Sequence, residues 1–548
     1  MKKYTIGIDF GTLSARAVII DAESGAELAD SIYEYPHGVM SDTLPSGKKL
    51  KPQSALQHPA DYIEALKVTV GKSMAASGLK KEDIAALAID FTSCTILPIF
   101  SDGTPLCFSE KYADEPNAYV KLWKHHSAQA QADRINQVAE ARGEKWLKIY
   151  GGKISSEFLF PKILEILNDS PEVYEDTYSF IEAGDWLSLI LTGRDTRSVS
   201  FAGFKATWVA GSGFPSSEYL AEVDPRLADI VGKKIPSAVT PITEDAGVLT
   251  AYGASLLGLA EGTPLSLPII DAQAAIPALN VTREGEAMLV LGTSGVIILH
   301  DKKELDVSGL LGYCDSPIVP GFFTYEAGQA CLGDGFDWLV KKCIPNTYYD
   351  EAEALGVGIH KLLRTKASRL SVGESGIIAL DWLGGNRSLL SDSDLSGMIL
   401  GITLSTRPEE IYRALIEAVA FSTRMIIEAF EEKGARIESF LASGGIALKD
   451  EMMMQIYADV LGKEIRVSSA KQVGAYGSAI RAAVSAGIYK DIFEASAALC
   501  KPIAATYYPE PDNKEPYDRL YEEYKTLHDY FGRGQNNVMK RIKKFAKN

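Results

Sequence analysis

The chain has 548 residues, 46% of them hydrophobic and 23% charged, which is the length of roughly two to four domains and a composition that excludes an intrinsically disordered chain. Six cysteines without a CxxC pair exclude a disulfide scaffold and a cysteine-based metal site, and they fit a reducing cytoplasm. A formal charge of −16 offers no field for nucleic acid or anionic lipid.

Tyr4 to Ile8 reads as a strand, Asp9-Phe10-Gly11-Thr12 as a turn, and Ala15 to Asp21 as a second strand, together a hairpin. The lysines at 2 and 3 precede an apolar run that Asp9 ends. No run reaches the ~20 residues of a bilayer span, so neither a signal segment nor a membrane helix is expected. Asp61 to Met74 has the spacing of an amphipathic helix, and Ile84 to Asp90 and Ile96 to Phe100 read as strands flanking Thr92-Ser93-Cys94-Thr95. Strand and helix patterns alternate to about residue 270, which predicts an α/β fold.

Near residue 280 the pattern restarts. Ala287 to Leu291, the turn Gly292-Thr293-Ser294-Gly295 and Val296 to His300 repeat the first hairpin half a chain later. Two similar domains, or two unrelated hairpins, account for this equally well. Pro408 to Glu432 predicts a long helix and Ile437 to Ala442 a strand running into Ser443-Gly444-Gly445. Asp450 to Leu461 predicts a further helix. Gly474-Ala475-Tyr476-Gly477 reads as the opening of a helix over Ser478 to Ala486, and Tyr517 to Phe531 as a C-terminal helix. The basic residues beyond Arg533 read as a solvated helix in a chain this acidic.

A Gly-Thr turn between strands offers backbone N–H groups and close approach to phosphate oxygens. Gly11 with Thr12, and Gly292 with Thr293 and Ser294, are therefore candidate phosphate contacts. Asp9 has the character of a Mg²⁺-side carboxylate acting through water, or of a turn residue bonding its own backbone. Gly444 and Gly445, between a strand and a helix, leave room for a purine or form an ordinary tight loop. Asp271, after the apolar stretch Leu267 to Ile270, fits a helix N-cap or a base. No P-loop, Ser/His/Asp triad or zinc spacing is present.

In this order and spacing, these pieces resemble the FGGY family of carbohydrate kinases over nearly the whole chain. The carriers are Asp9 to Thr12, Gly292 to Gly295, Ser443 to Gly445, Gly474 to Gly477, and Gly397 to Gly401 followed by Ile411 to Glu417. Asp90 to Thr95, Leu122 to His126, Tyr150 to Ser156, Glu326 to Gln329 with Gly333-Asp334, and Trp382 to Arg387 are similar to motifs of members acting on L-ribulose. The resemblance implies two similar domains of the actin-like ATPase (ribonuclease H-like) fold flanking a catalytic cleft. Residues 1–281 would carry the sugar site and base, and 282–548 the nucleotide site.

It further implies ATP and Mg²⁺, with Asp9 on the metal side and Asp271 as catalytic base. Ser93, Lys205, Asp271 and Glu326 would contact the sugar, though many relatives have Ala where this chain has Ser93. Lys205 as a surface lysine and Glu326 as a capping acid remain open. The implied reaction is phosphorylation of L-ribulose to L-ribulose 5-phosphate in arabinose catabolism. Expected partners are the sugar and ATP, with neither nucleic acid nor membrane, and a homodimer is a candidate assembly. The alternatives are a kinase for D-ribulose, xylulose or ribitol, and a non-catalytic sugar sensor, which the presence of both Asp9 and Asp271 disfavours. The residues after Gly477 are too few for the peptide-binding domain of a chaperone ATPase.

Overall fold

The computed structural model describes residues 3–470 and 472–545. The chain forms two compact units, and neither is one continuous stretch. The first comprises Met1–Thr282, Gly312–Thr324 and Gln472–Lys501, and the second Arg283–Leu311, Tyr325–Lys471 and Pro502–Asn548. The compact units thus do not follow a single cut at 281/282, because a helical segment from late in the chain packs into the first unit.

The first unit is built on β1 (Tyr4–Phe10), β2 (Ser14–Asp21), β3 (Glu27–Glu34), β4 (Ile84–Phe91), β5 (Asp245–Val248), β6 (Pro264–Ser266) and β7 (Ile269–Ile270). The strand order is β3-β2-β1-β4-β6-β5, and β7 also pairs with β4. The β1–β2, β2–β3 and β6–β5 pairs are antiparallel, and β4 runs parallel to β1, β6 and β7. All eight residues of β4 are buried, the pattern of a central strand covered on both faces. One face carries Phe10 stacked on Phe91 at 4.9 Å, with Tyr62 of helix Pro59–Ser77 edge-on to both.

Helix Val473–Ser485 covers the opposite face, through Ala475, Ala479 and Ile480 against Val18 and Ile20. It approaches β1 so closely that a Cβ on Gly7 would lie 1.8 Å from the Ala475 carbonyl oxygen. Gly477 is equally constrained, since a Cβ there would lie 1.8 Å from the carbonyl oxygen of Ala274 on helix Asp271–Leu279. Gly474 to Gly477 therefore lie inside a helix that begins at Val473, not ahead of one that begins at Ser478. Glycine weakens a helix by about 1 kcal/mol relative to alanine; here close packing against two neighbours supplies the reason for it.

The second unit is built on β8 (Gly285–Leu291), β9 (Gly295–Asp301), β10 (Phe323–Gln329), β11 (Ile437–Ser443), β12 (Glu464–Ser468) and β13 (Ile503–Tyr507), adjacent in the order β10-β9-β8-β11-β12-β13. The β8–β9 pair is antiparallel, β8–β11 and β11–β12 are parallel, and β12–β13 is antiparallel. The succession is that of the first unit: a hairpin, a third strand outside it, two parallel strands and an antiparallel edge. The repeat read from the hairpins therefore extends to the sheets. Helix Pro408–Glu431 packs Phe421 against Tyr517, Tyr521 and Tyr524 of helix Pro511–Gly532. Among the described residues, no helix is long and apolar enough to cross a membrane.

The close approach at Gly7 predicts opposite signs for two glycine substitutions. Gly7→Ala should destabilise the first unit by at least about 1–3 kcal/mol, the range for overpacking. Gly71→Ala lies within helix Pro59–Ser77 with nothing within 4 Å of the new methyl, and should stabilise by about 0.5–1 kcal/mol. Scanning calorimetry of both variants checks the pair.

Candidate active site

Three carboxylates meet in the first unit at the carboxyl ends of its strands. Asp9 and Asp90 are register partners on the parallel strands β1 and β4. Asp271 follows β7, which pairs with the same end of β4. Asp90 is fully buried, and its Oδ2 accepts from Ser478 Oγ at 2.6 Å. Burial, then the charge of Asp9, with a smaller contribution from Asp271, pushes the Asp90 carboxyl well above the ordinary range. Asp9 is largely buried, 14% exposed, with Arg16 Nη1 3.3 Å from its Oδ2. A Cβ on Gly474 would stand 3.2 Å from the Asp9 carboxylate, so the glycine leaves that group its space.

Asp271 is the first residue of its helix, and its Oδ1 accepts from the Ala272 amide at 2.7 Å. It thus meets one open N–H of the first turn from N1, while Ile270 occupies the N-cap position. The segment is tied to helix Val199–Lys205. Ser200 Oγ accepts from the Ile270 amide at 3.2 Å and donates to Gln273 Oε1 at 3.2 Å, and Ser198 Oγ donates to the Pro268 carbonyl at 2.6 Å. Lys205 closes that helix. Its side chain is 12% exposed, its ammonium lies 3.4 Å from Glu157 Oε2, and it sits 5.4 Å from the centre of the Phe158 ring. Lys205 is therefore not a surface lysine.

The first hairpin turn closes with the Gly11 amide donating to the Ser14 carbonyl at 3.0 Å. Thr12 is held twice: Trp123 Nε1 donates to its hydroxyl at 3.1 Å, and Gln57 Nε2 to its carbonyl at 2.7 Å. Ser93 lies half-buried in the turn after β4. Trp123 and Glu157 are partners that composition and spacing do not single out. Trp123 falls inside the Leu122–His126 motif, and Glu157 directly follows the Tyr150–Ser156 motif, so proximity to those motifs was the available signal.

In the second unit the Gly292 amide donates to the Ser294 carbonyl at 3.1 Å. The amides of Leu332 and Gly333, at the start of helix Gly333–Cys343, donate to the Thr293 and Gly292 carbonyls at 3.0 Å each. Gly444 follows β11 with φ +102°, and a Cβ there would lie 2.4 Å from the Leu291 carbonyl oxygen, at the root of the same hairpin. Gly445 has nothing within 4 Å of its Cβ position. Of the two glycines, the first is demanded by the fold and the second faces open space. Glu326 is half-buried on β10, and its carbonyl accepts from the Leu311 amide at 3.0 Å.

The two units differ at one register position. Where the first places Asp9 beside Asp90, the second places Val290 beside Ser443. A carboxylate pair beneath the Gly-Thr turn belongs to the first unit alone. Among the described residues, no group of three or more His, Cys, Asp or Glu side chains forms a metal cage.

The contrast at Gly444 and Gly445 is testable. Gly444→Ala should lower the melting temperature of the second unit by several degrees, at about 2–4 °C per kcal/mol. Gly445→Val should leave it within about 2 °C. Thermal unfolding followed by calorimetry decides, and equal losses would contradict the assignment.

The N-terminal domain of the FGGY family of carbohydrate kinases matches residues 4–277, and its C-terminal domain residues 287–486. The chain is 47% identical over 537 residues to the ribulokinase of Bacillus licheniformis, covering 97% of each chain. It is 42% identical to the ribulokinase of Mycolicibacterium smegmatis over 548 residues, covering 100% of this chain and 97% of the relative. The crystal structure of a xylulose kinase from Rhodospirillum rubrum is similar with a TM-score of 0.78 at 22% identity, over 96% of this chain and 98% of that one, a likeness of fold. With its two α/β units of the same strand order, a design consistent with the actin-like ATPase fold, the chain belongs to the FGGY family of carbohydrate kinases.

Proposed function

We propose that the chain transfers the γ-phosphoryl group of ATP to the 5-hydroxyl of L-ribulose, giving L-ribulose 5-phosphate and ADP, as a step of arabinose catabolism. The observation that carries the reaction class is the placement of Asp271. It stands at a strand's carboxyl end on the first turn of a helix, beside Asp90 and Asp9, and its segment is bonded through Ser200 to the helix of Lys205. The choice of L-ribulose rests on near-full-length relatives bearing the name ribulokinase.

In this reading Asp271 accepts the proton of the sugar hydroxyl as that oxygen forms its bond to the γ-phosphorus and the bond to ADP breaks. Ser93, Lys205 and Glu326 hydrogen-bond the sugar. The amides and hydroxyls of Thr12, Thr293 and Ser294 hold phosphate oxygens in turns that Gly11 and Gly292 close and keep free of side chains, and Gly444 and Gly445 lie against the adenosine. Mg²⁺ binds few carboxylates and keeps its waters. Asp9, 14% exposed beside a fully buried Asp90, fits that demand as the metal-side carboxylate. The ion would supply neutralisation of phosphate charge.

Asp271→Asn keeps the side-chain shape without the proton acceptor. kcat should fall by at least roughly 100-fold, with the Kd for MgATP by calorimetry little changed. Gly445→Val should raise the KM for ATP. ADP release measured with L-ribulose, D-ribulose, D-xylulose, ribitol and glycerol tests the substrate. The highest kcat/KM should fall on L-ribulose, and a higher value for another pentulose or pentitol would replace it.

A further inference from the structure

The first unit holds two buried opposite charges that the phosphoryl transfer just described does not use. Lys162, on helix Leu159–Asp169, is fully buried. Its ammonium donates to the carbonyl of Cys94 and, at 2.9 Å, to the carbonyl of Leu122. Glu182 ends strand Ser179–Glu182, which pairs with Ile96–Ile99. It is also buried, and its Oε2 accepts from the Thr95 amide at 3.0 Å. Cation and anion therefore grip adjacent residues of one turn, Thr92–Thr95, one through a carbonyl and the other through an amide. That turn carries Ser93.

The turn needs holding. Cys94 has φ +53°, left-handed backbone in a residue with a side chain. Thr92 and Thr95 share a hydroxyl contact at 2.7 Å, and the Ala183 amide, next to Glu182, donates to the Thr95 carbonyl at 2.7 Å. The second carbonyl held by Lys162, that of Leu122, precedes Trp123, whose indole bonds the Thr12 hydroxyl. One ammonium thus ties the turn of a sugar-contact candidate to the segment that touches the first phosphate hairpin.

We propose that Lys162 and Glu182 are positioning residues, a buried clamp that fixes the Thr92–Thr95 turn so that Ser93 and the neighbouring backbone present a preset surface to the sugar. The functional half of this inference rests on the reading of Ser93 as a sugar contact. Burial opposes both charges, lowering the Lys162 pKa and raising that of Glu182, and each charge partly offsets the penalty on the other. Well-packed apolar residues often serve stability as well as buried charges do, so the clamp is supported by the bonds that Lys162 and Glu182 make to the turn and to Leu122.

The test uses the full chain with Lys162→Met, Glu182→Gln and the double variant. The double variant removes both charges together, so neither is left buried without the other, and it is the variant expected to fold where a single one fails. Hydrogen exchange by mass spectrometry over peptides spanning residues 90–98, without ligand, reads the turn directly and needs no substrate. It should rise in the double variant while peptides of helix Val473–Ser485 stay unchanged. The kcat/KM for L-ribulose, or for whichever sugar the wild type turns over best, should fall roughly 10–100-fold, the scale of a misplacement of about 1 Å. The larger loss should fall on the sugar: MgATP affinity, which Lys162 reaches only through Leu122 and Trp123, should change by less than about tenfold. Unchanged exchange over the turn, or kcat/KM within about twofold of wild type in a folded double variant, overturns the clamp. Wild-type inactivity on L-ribulose counts against the substrate assignment alone, and the exchange result still decides the clamp.

Discussion

The arrangement of the first unit depends on one contact, backbone against backbone. Helix Val473–Ser485 lies close enough to β1 and to helix Asp271–Leu279 that Gly7 and Gly477 have no room for a side chain. Thr5 reinforces the seam by donating its hydroxyl to the Ala479 carbonyl at 2.9 Å. The consequence is electrostatic. The helix brings Ser478 onto Asp90 and leaves a gap at Gly474 for Asp9, while its other neighbour begins with Asp271. A looser crossing would admit water and separate these groups, because protein interiors transmit small displacements instead of absorbing them. The seam thus keeps three acids together, one of them sealed from solvent.

The shared strand order of the two units makes their divergence informative. Both use a hairpin with a Gly-Thr turn, flanked by a parallel strand that ends at the turn. The exchange of Asp9 and Asp90 for Val290 and Ser443 removes acid from the second hairpin, and Gly444 then lets the chain pass against Leu291. A site without carboxylates suits the uncharged backbone recognition proposed for the nucleotide, whereas a site with them suits proton transfer and metal balance. The two units thus share one strand scaffold and differ at these two register positions.

Much of this was legible in the chain. Both hairpins, the long helix from Pro408 and the strand into Ser443-Gly444-Gly445 stand out because apolar periodicity and glycine placement act over a few residues. The sequence pattern puts the start of helix Val473–Ser485 at Ser478, whereas it begins at Val473, since Gly474 and Gly477 read locally as breakers and their reason lies in neighbours hundreds of residues away. Asp271 was visible as a carboxylate after a strand, but its company with Asp9 and Asp90 depends on parallel register. Lys162, Glu182, Glu157 and Trp123 carry no local signal of their partners, because a buried charge or an indole donor is defined by groups that only the fold supplies.

In the proposed reaction Asp271 receives the proton of the hydroxyl that attacks phosphorus. A crystal structure of the chain with L-ribulose and a non-hydrolysable ATP analogue tests it most directly. An Asp271 carboxylate oxygen should lie about 2.6–3.2 Å from the sugar 5-hydroxyl, with that hydroxyl in line with the γ-phosphorus and Lys205 on the same sugar. A sugar bound with its 5-hydroxyl beyond the reach of Asp271, or facing a different side chain able to take the proton, would contradict it.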